Sequence, residues 1–142
     1  MDLAKSLGIE TSVQLLGPID EMTVKQELEN AHIFVLASHD EPMAVAYMEA
    51  MAMEIPIIGT NTGGIPEMID HSKDGLLVEP RNVEAIAEAV LQIIKNPEKA
   101  LKMTKSARAK VEKHFHPGIS AAVLVKNIQA SLKENQTQPI SN

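Results

Sequence analysis

Short apolar runs alternate with longer mixed segments along this chain. Val13–Leu16 is one such run, closed by Gly17-Pro18, and His32–Ala37, Pro56–Gly59 and Gly75–Val78 are three more. Each has strand length and turn residues beside it, so each is expected to be a buried strand. Met1–Leu7 reads as the end of a helix with Gly8 as its cap, and Thr23–Asn30 as a short helix. Thr23 would cap that helix, with Gln26 completing a capping box. Residues 44–53 are apolar almost all round, the mark of a buried helix. Thr60–Gly64 is a Gly-rich turn into a short helix, Ile65–Ile69. Asn82 opens an amphipathic helix to Lys95, with Val83, Ile86, Ala87, Val90, Leu91 and Ile94 on one face. Pro97 starts a helix to about Phe115. His116-Pro117-Gly118 breaks the chain, Ile119–Leu132 is a last amphipathic helix, and residues 134–142 are a polar tail.

Strands alternating with helices predict an α/β fold. The expectation is a Rossmann-like parallel sheet of about four strands with flanking helices, forming one domain over residues 1–133. No repeat or low-complexity tract interrupts it.

The chemistry concentrates between His39 and Pro80. Glu41 and Glu49 are separated by seven residues, and Pro42 follows the first. Glu49 lies in the apolar helix, where its neighbours at three and four residues are Val45, Ala46, Ala52 and Met53. Burying an unpaired carboxylate is costly. Glu49 therefore either meets a cation from elsewhere in the fold or faces a cleft that takes a ligand. Eight helical residues rise roughly 12 Å, about the span of a sugar joined through a diphosphate to a ribose. The free N–H groups near Met43–Val45 would offer an anion site between the carboxylates. Carboxylates that accept from ribose hydroxyls occur in dinucleotide-binding folds. The order would then be ribose at Glu49, phosphate or sugar oxygen at the helix start, and sugar hydroxyls at Glu41.

Composition narrows the field. Of 142 residues 44% are hydrophobic and 2% aromatic, with no Trp, so the core is Ile, Leu, Val, Met and Ala. A formal charge of -6 argues against nucleic acid. The lysines between Lys95 and Lys113 share their helices with Glu98 and Glu112 and read as a solvated face. The absence of Cys excludes disulfides and thiol catalysis. No apolar stretch reaches roughly 18 residues and no signal peptide opens the chain, which points to the cytoplasm. The five histidines are scattered. His39, Asp40 and Glu41 are too few convergent ligands for a metal.

Residues 40–58 (DEPMAVAYMEAMAMEIPII), then TNTGGIPEMI and DGLLVEP, resemble the C-terminal domain of the group 1 retaining glycosyltransferases of the GT-B fold. That family carries a Glu-x7-Glu motif, a Gly-Gly-x-x-Glu turn and a Gly-Leu-Val step. Here Glu41 and Glu49, then Gly63, Gly64 and Glu67, then Gly75, Leu77 and Val78 match in order. The likeness runs from about Leu3 to about Phe115. Two positions depart from it: Met43-Ala44 stands where Phe-Gly is usual, and Glu54 where a helix-ending Gly is usual. Glu54 implies strain or a different helix end.

The resemblance implies a donor-binding domain. Glu41 would be the catalytic carboxylate contacting the sugar. Glu49 would bind ribose, with Pro42, Met43, Ala44 and Val45 around the diphosphate, His39 lining the pocket, and Pro18 and Ile19 by the base. Gly63 and Gly64 would approach the donor sugar, a role that any tight turn also explains, with Glu67 orienting or capping that turn. The implied reaction moves a hexose from a nucleotide-sugar to an acceptor hydroxyl in envelope glycan synthesis, such as lipopolysaccharide or polysaccharide. No metal or other cofactor is expected. The rival readings are a nucleotide-sugar epimerase of the same architecture and a non-catalytic nucleotide-sugar-binding or interaction module. Partners would be the nucleotide-sugar donor, a glycan or lipid-linked acceptor and an N-terminal domain. The longer protein would be cytoplasmic, with peripheral association at the inner membrane as an extension. The family's first two strand–helix units, with a Gly-Arg turn and a Lys that neutralise the diphosphate, have no counterpart in these residues. Two expectations follow: the chain alone is inactive, and as a truncated or proteolysed piece it self-associates or rearranges through exposed strand edges.

Overall fold

The computed structural model describes residues 2–40 and 45–115. They fall into two compact units, Met1–Asn30 and Ala31–Asn142. The expected helix Ile119–Leu132 and the tail lie outside the described residues.

In the first unit α1 (Asp2–Ser6) ends as expected at Gly8, whose φ is 67° and whose N–H donates to the Lys5 carbonyl at 3.0 Å. A turn of 3-10 helix (Glu10–Ser12) follows. The strand expected at Val13–Leu16 does not form. A strand exists only through a neighbour's hydrogen bonds, and no described strand pairs with this run. α2 (Glu21–Asn30) is two residues longer than expected at its start, because Asp20 rather than Thr23 is its cap. The Thr23 N–H donates to Asp20 Oδ1 at 2.8 Å. That bond favours the ionised carboxylate and holds the Asp20 carboxyl below its ordinary range. Neither helix contains a buried residue.

The second unit is a parallel sheet in the order β1 (Phe34–Leu36), β2 (Ile57–Thr60), β3 (Leu76–Val78). Phe34 pairs with Ile57, and Ile58 with Leu76. β2 is buried throughout, as a central strand between covered faces should be. β1 corrects the expectation of a buried strand over His32–Ala37. It is half as long, and Val35 is 41% exposed. Among the described residues β1 has a neighbour on one side only. The outer edge of β3 is closed by a side chain: Leu77 N–H donates to His71 Nδ1 at 3.0 Å.

The sheet is covered on both faces. One face carries α3 (Val45–Ala52), whose Tyr47 ring meets Phe34 edge-on with centroids 5.6 Å apart. On the other, Ile58 and Leu76 pack with Ala89 and Ile93 of α5 (Val83–Lys95) and Ala100 and Met103 of α6 (Pro97–His114). α6 also packs on α3. α4 (Ile65–Met68) links β2 to β3.

Asn82 caps α5 as expected, accepting from Ala85 N–H at 2.9 Å. The buried stripe is rotated, however. Ala89 and Ile93 are buried and Ile86 and Val90 half-buried, whereas Val83, Ala87, Leu91 and Ile94 are exposed. Both stripes have helical spacing, and packing on Ile58 and Leu76 selects the one carrying small Ala89. Glu54 behaves as its place at a helix end requires. It is left-handed, with φ of 57°. Glu54 N–H bonds to the Met51 carbonyl and Ile55 N–H to that of Ala50, the double closure of a Schellman motif.

Candidate functional site

Ligands in open α/β sheets collect at the carboxyl ends of the strands. Here the chain after β1 runs through Ser38, His39 and Asp40, and the chain after β2 through Thr60–Gly64. The two are joined by side chains. Thr60 Oγ1 donates to the Ser38 carbonyl at 2.6 Å, and Thr62 Oγ1 to the His39 carbonyl at 2.9 Å. The turn is tied to β3 as well: Asn61 N–H donates to the Val78 carbonyl at 2.7 Å, and Asn61 Nδ2 to Glu79 Oε1 at 3.1 Å. All three strand ends therefore share one hydrogen-bonded edge.

The glycines act differently within it. Gly63 has φ of 54°, which a side chain would disfavour, while Gly64 has φ of -84° and caps α4. The role expected for Glu67 is not fulfilled by its side chain. It is exposed, and among the described residues no side chain caps α4; backbone bonds from Ile65 N–H to Thr62 and from Glu67 N–H to Gly64 close the turn.

α3 is placed against this edge by its tyrosine, which donates to the Leu36 carbonyl at 2.7 Å. The helix buries Tyr47, Ala50 and Met51. Its opposite stripe, Val45, Glu49 and Ala52, is exposed. The expectation of a buried helix is corrected on that stripe: an eight-residue helix lying on one sheet face covers only one side, whatever its composition. Of the two outcomes open to Glu49, no internal cation is found among the described residues. Its carboxylate has no hydrogen-bond or ion-pair partner among the described residues.

His39 and Asp40 are exposed beside the Gly63 turn, with the His39 carbonyl already committed to Thr62. Glu41, Pro42, Met43 and Ala44 lie outside the described residues. Ile19 belongs to the first unit. No group of three or more His, Asp or Glu among the described residues is placed to hold a metal. No helix among them is long and apolar enough to cross a membrane.

Sequence reasoning missed Thr60, Asn61 and Thr62. The available signal was three hydrogen-bonding side chains between a strand and two glycines. Lys110 departs from the solvated face that the lysines between Lys95 and Lys113 suggest. The Lys110 side chain is 18% exposed and reaches Asp74 at 3.0 Å and Asp70 at 3.2 Å. Lys110, then Lys73, hold the Asp70 carboxyl below its ordinary range. Asp74, with 1% of its side chain exposed, also accepts from Asp70 N–H at 2.6 Å. This cluster anchors the segment after α4 to α6. An apolar groove lined by Ile33, Pro56, Ile93, Ile94 and Leu101 among others shares no residue with the loops after β1 and β2.

Comparison with known proteins adds four likenesses. The family model "Glycosyl transferases group 1" matches residues 1–110. An N-acetyl-alpha-D-glucosaminyl L-malate synthase of Bacillus anthracis is 36% identical over 115 residues, covering 81% of this chain and 30% of that protein. The C-terminal domain of a group 1 family glycosyl transferase, LpcC from Francisella tularensis, superposes with a TM-score of 0.74 at 26% identity, covering 82% of this chain and 60% of the other. The fold alone is shared with Anabaena HepE in complex with UDP-glucose, at TM-score 0.79 and 22% identity, covering 94% and 35% respectively.

Proposed function

This chain belongs to the group 1 glycosyl transferases, and from that premise we propose that it builds part of a nucleotide-sugar donor site. The observation that carries the reading is the shared edge where the loops after β1 and β2 meet beside α3 with its exposed Glu49. A carboxylate that projects from a rigid helix and has no partner among the described residues suits the vicinal hydroxyls of a ribose. Glu41 is assigned to the transferred sugar as the catalytic carboxylate. Val45 and the preceding Pro42, Met43 and Ala44 are assigned to the diphosphate, and the backbone of Gly63 and Gly64 with His39 to the hexose side.

The reaction proposed is retaining transfer of a hexose to an acceptor hydroxyl, in envelope glycan synthesis. Backbone N–H groups and cations stabilise the departing nucleoside diphosphate, with no obligatory metal or other cofactor. UDP-sugars are the first donors to try, since HepE binds UDP-glucose. The chain spans about a third of the length of the curated relatives it matches, 30% of the B. anthracis enzyme. Transfer is therefore assigned to a protein that also brings an acceptor-binding domain, located in the cytoplasm or at the inner face of its membrane. The 142 residues alone are expected to bind without turnover.

A panel of nucleotides and nucleotide-sugars tests the reading by thermal shift on this chain and by product analysis with labelled donor on the longer protein. Stabilisation by a nucleotide-sugar, and transfer of label to an acceptor, support it. Isomerised donor would mean an epimerase, binding without reaction of the longer protein a non-catalytic module, and no stabilisation by any member would overturn donor binding.

A further inference from the structure

Three side-chain hydroxyls meet the backbone where it leaves β1. Tyr47 donates to the Leu36 carbonyl at 2.7 Å, Thr60 to Ser38 at 2.6 Å and Thr62 to His39 at 2.9 Å. They come from α3, from the last residue of β2 and from the turn after it. A backbone leaving a sheet loses its ladder partners, and its carbonyls need other donors. Water would satisfy them without fixing their direction. A hydroxyl on a rigid element fixes it. Thr60 is buried on the central strand, and its branched side chain has few rotamers. Thr62 N–H donates to the Thr60 carbonyl at 2.9 Å, so the second hydroxyl is carried on a closed turn.

We propose that Thr60 and Thr62 are positioning residues of the donor site: their hydroxyls hold Ser38 and His39, and the acidic residue Asp40 that follows, against the Gly63-Gly64 turn. The proposal rests on the donor-site reading above. A hydroxyl that merely satisfied a carbonyl would contribute to stability alone. A positioning hydroxyl is expected to affect the sugar end of the donor, which faces this loop, more than the nucleotide end.

The test uses Thr62→Val, which keeps the shape and removes the donor, and Thr62→Ser, which keeps the donor. UDP and UDP-glucose are titrated calorimetrically into each version of the chain, and amide exchange is followed over residues 36–40 and across the fold. Thr62→Val is expected to speed exchange locally and weaken UDP-glucose about five-fold, the value of one hydrogen bond, while UDP changes less than about two-fold. Thr62→Ser should restore both. Unchanged exchange over 36–40 in Thr62→Val, or equal weakening of both ligands with faster exchange throughout, would overturn the proposal. Failure of the unaltered chain to bind either ligand would instead overturn the donor-site reading. The exchange comparison would then decide positioning of the loop alone.

Discussion

The phenol of Tyr47 occupies the space that a side chain at position 59 would need. A Cβ placed on Gly59 would lie 2.8 Å from the Tyr47 oxygen and 3.1 Å from the ring carbon bearing it. The missing side chain lets the ring lie on β2 and its hydroxyl reach the Leu36 carbonyl. One glycine on the central strand thus sets where α3 sits, and α3 carries Glu49.

Gly59→Ala should destabilise the fold by about 1–3 kcal/mol, the usual cost of an inserted methyl in a packed core. Tyr47→Phe should cost about 1 kcal/mol for its hydrogen bond. The double variant should cost less than the sum, because removing the oxygen relieves the closest clash. Denaturant unfolding of the four proteins checks this. Strict additivity would mean that the ring and position 59 are not in contact.

The buried Asp74 carboxylate depends on Lys110, and removing the ammonium leaves a buried charge without its cation. Lys110→Met is expected to cost about 2–4 kcal/mol, somewhat below the figure for a fully buried pair because Lys110 keeps 18% exposure. A pH effect accompanies it. The Asp70 carboxyl is held below its ordinary 3.8 by Lys110 first and Lys73 second. Its contribution is present above that value and is lost as pH falls through the lower, folded-state value. Unfolding midpoints between pH 2 and pH 5 should therefore fall less steeply in Lys110→Met than in the unaltered protein. An identical acid slope in the two would separate Asp70 from Lys110.

Elements that signal locally were legible in the sequence. Asn82 and Pro97 mark the starts of α5 and α6, and β2 and β3 lie within one residue of their apolar runs. What depended on neighbours was not legible. Val13–Leu16 has the composition of a strand and no partner among the described residues. α5 has two apolar stripes, and only the sheet decides between them. α3 is apolar enough to be read as buried, yet its stripe through Val45 and Glu49 is not. The Thr60 and Thr62 hydrogen bonds span 22 and 23 residues, a separation at which no sequence pattern pairs a hydroxyl with a carbonyl.

Glu54 is a sequence departure whose cost the backbone makes visible. A non-glycine residue in the left-handed region costs about 1–2 kcal/mol. Its only compensation among the described residues is a 3.4 Å contact to Arg108, half-exposed and worth under about 1 kcal/mol. Arg108 is engaged more closely by Glu112 at 2.9 Å, the main reason its pKa is raised. Glu54→Gly should therefore stabilise the protein by about 0.5–1 kcal/mol, after allowing for the greater freedom of glycine in the unfolded chain. A lower unfolding midpoint for this variant would show that the Arg108 contact outweighs the strain.

The two carboxylates of the proposed donor site should separate by ligand. Glu49 stands on the outward stripe of α3, and Glu41 precedes it by eight positions, roughly 12 Å if helix continues between them. If Glu49 takes the ribose, Glu49→Gln removes an acceptor that free UDP and UDP-glucose use alike. Both should weaken by about 10-fold, the value of a hydrogen bond to a charged group. If Glu41 takes the hexose, Glu41→Gln should weaken UDP-glucose by a similar factor and leave UDP nearly unchanged. The stability of Glu49→Gln should stay within about 0.5 kcal/mol of the parent, since the carboxylate has no described partner to lose. Calorimetric titration of both ligands into both variants decides the matter. Equal losses for both ligands in both variants would remove the assignment of one carboxylate to each end of the donor.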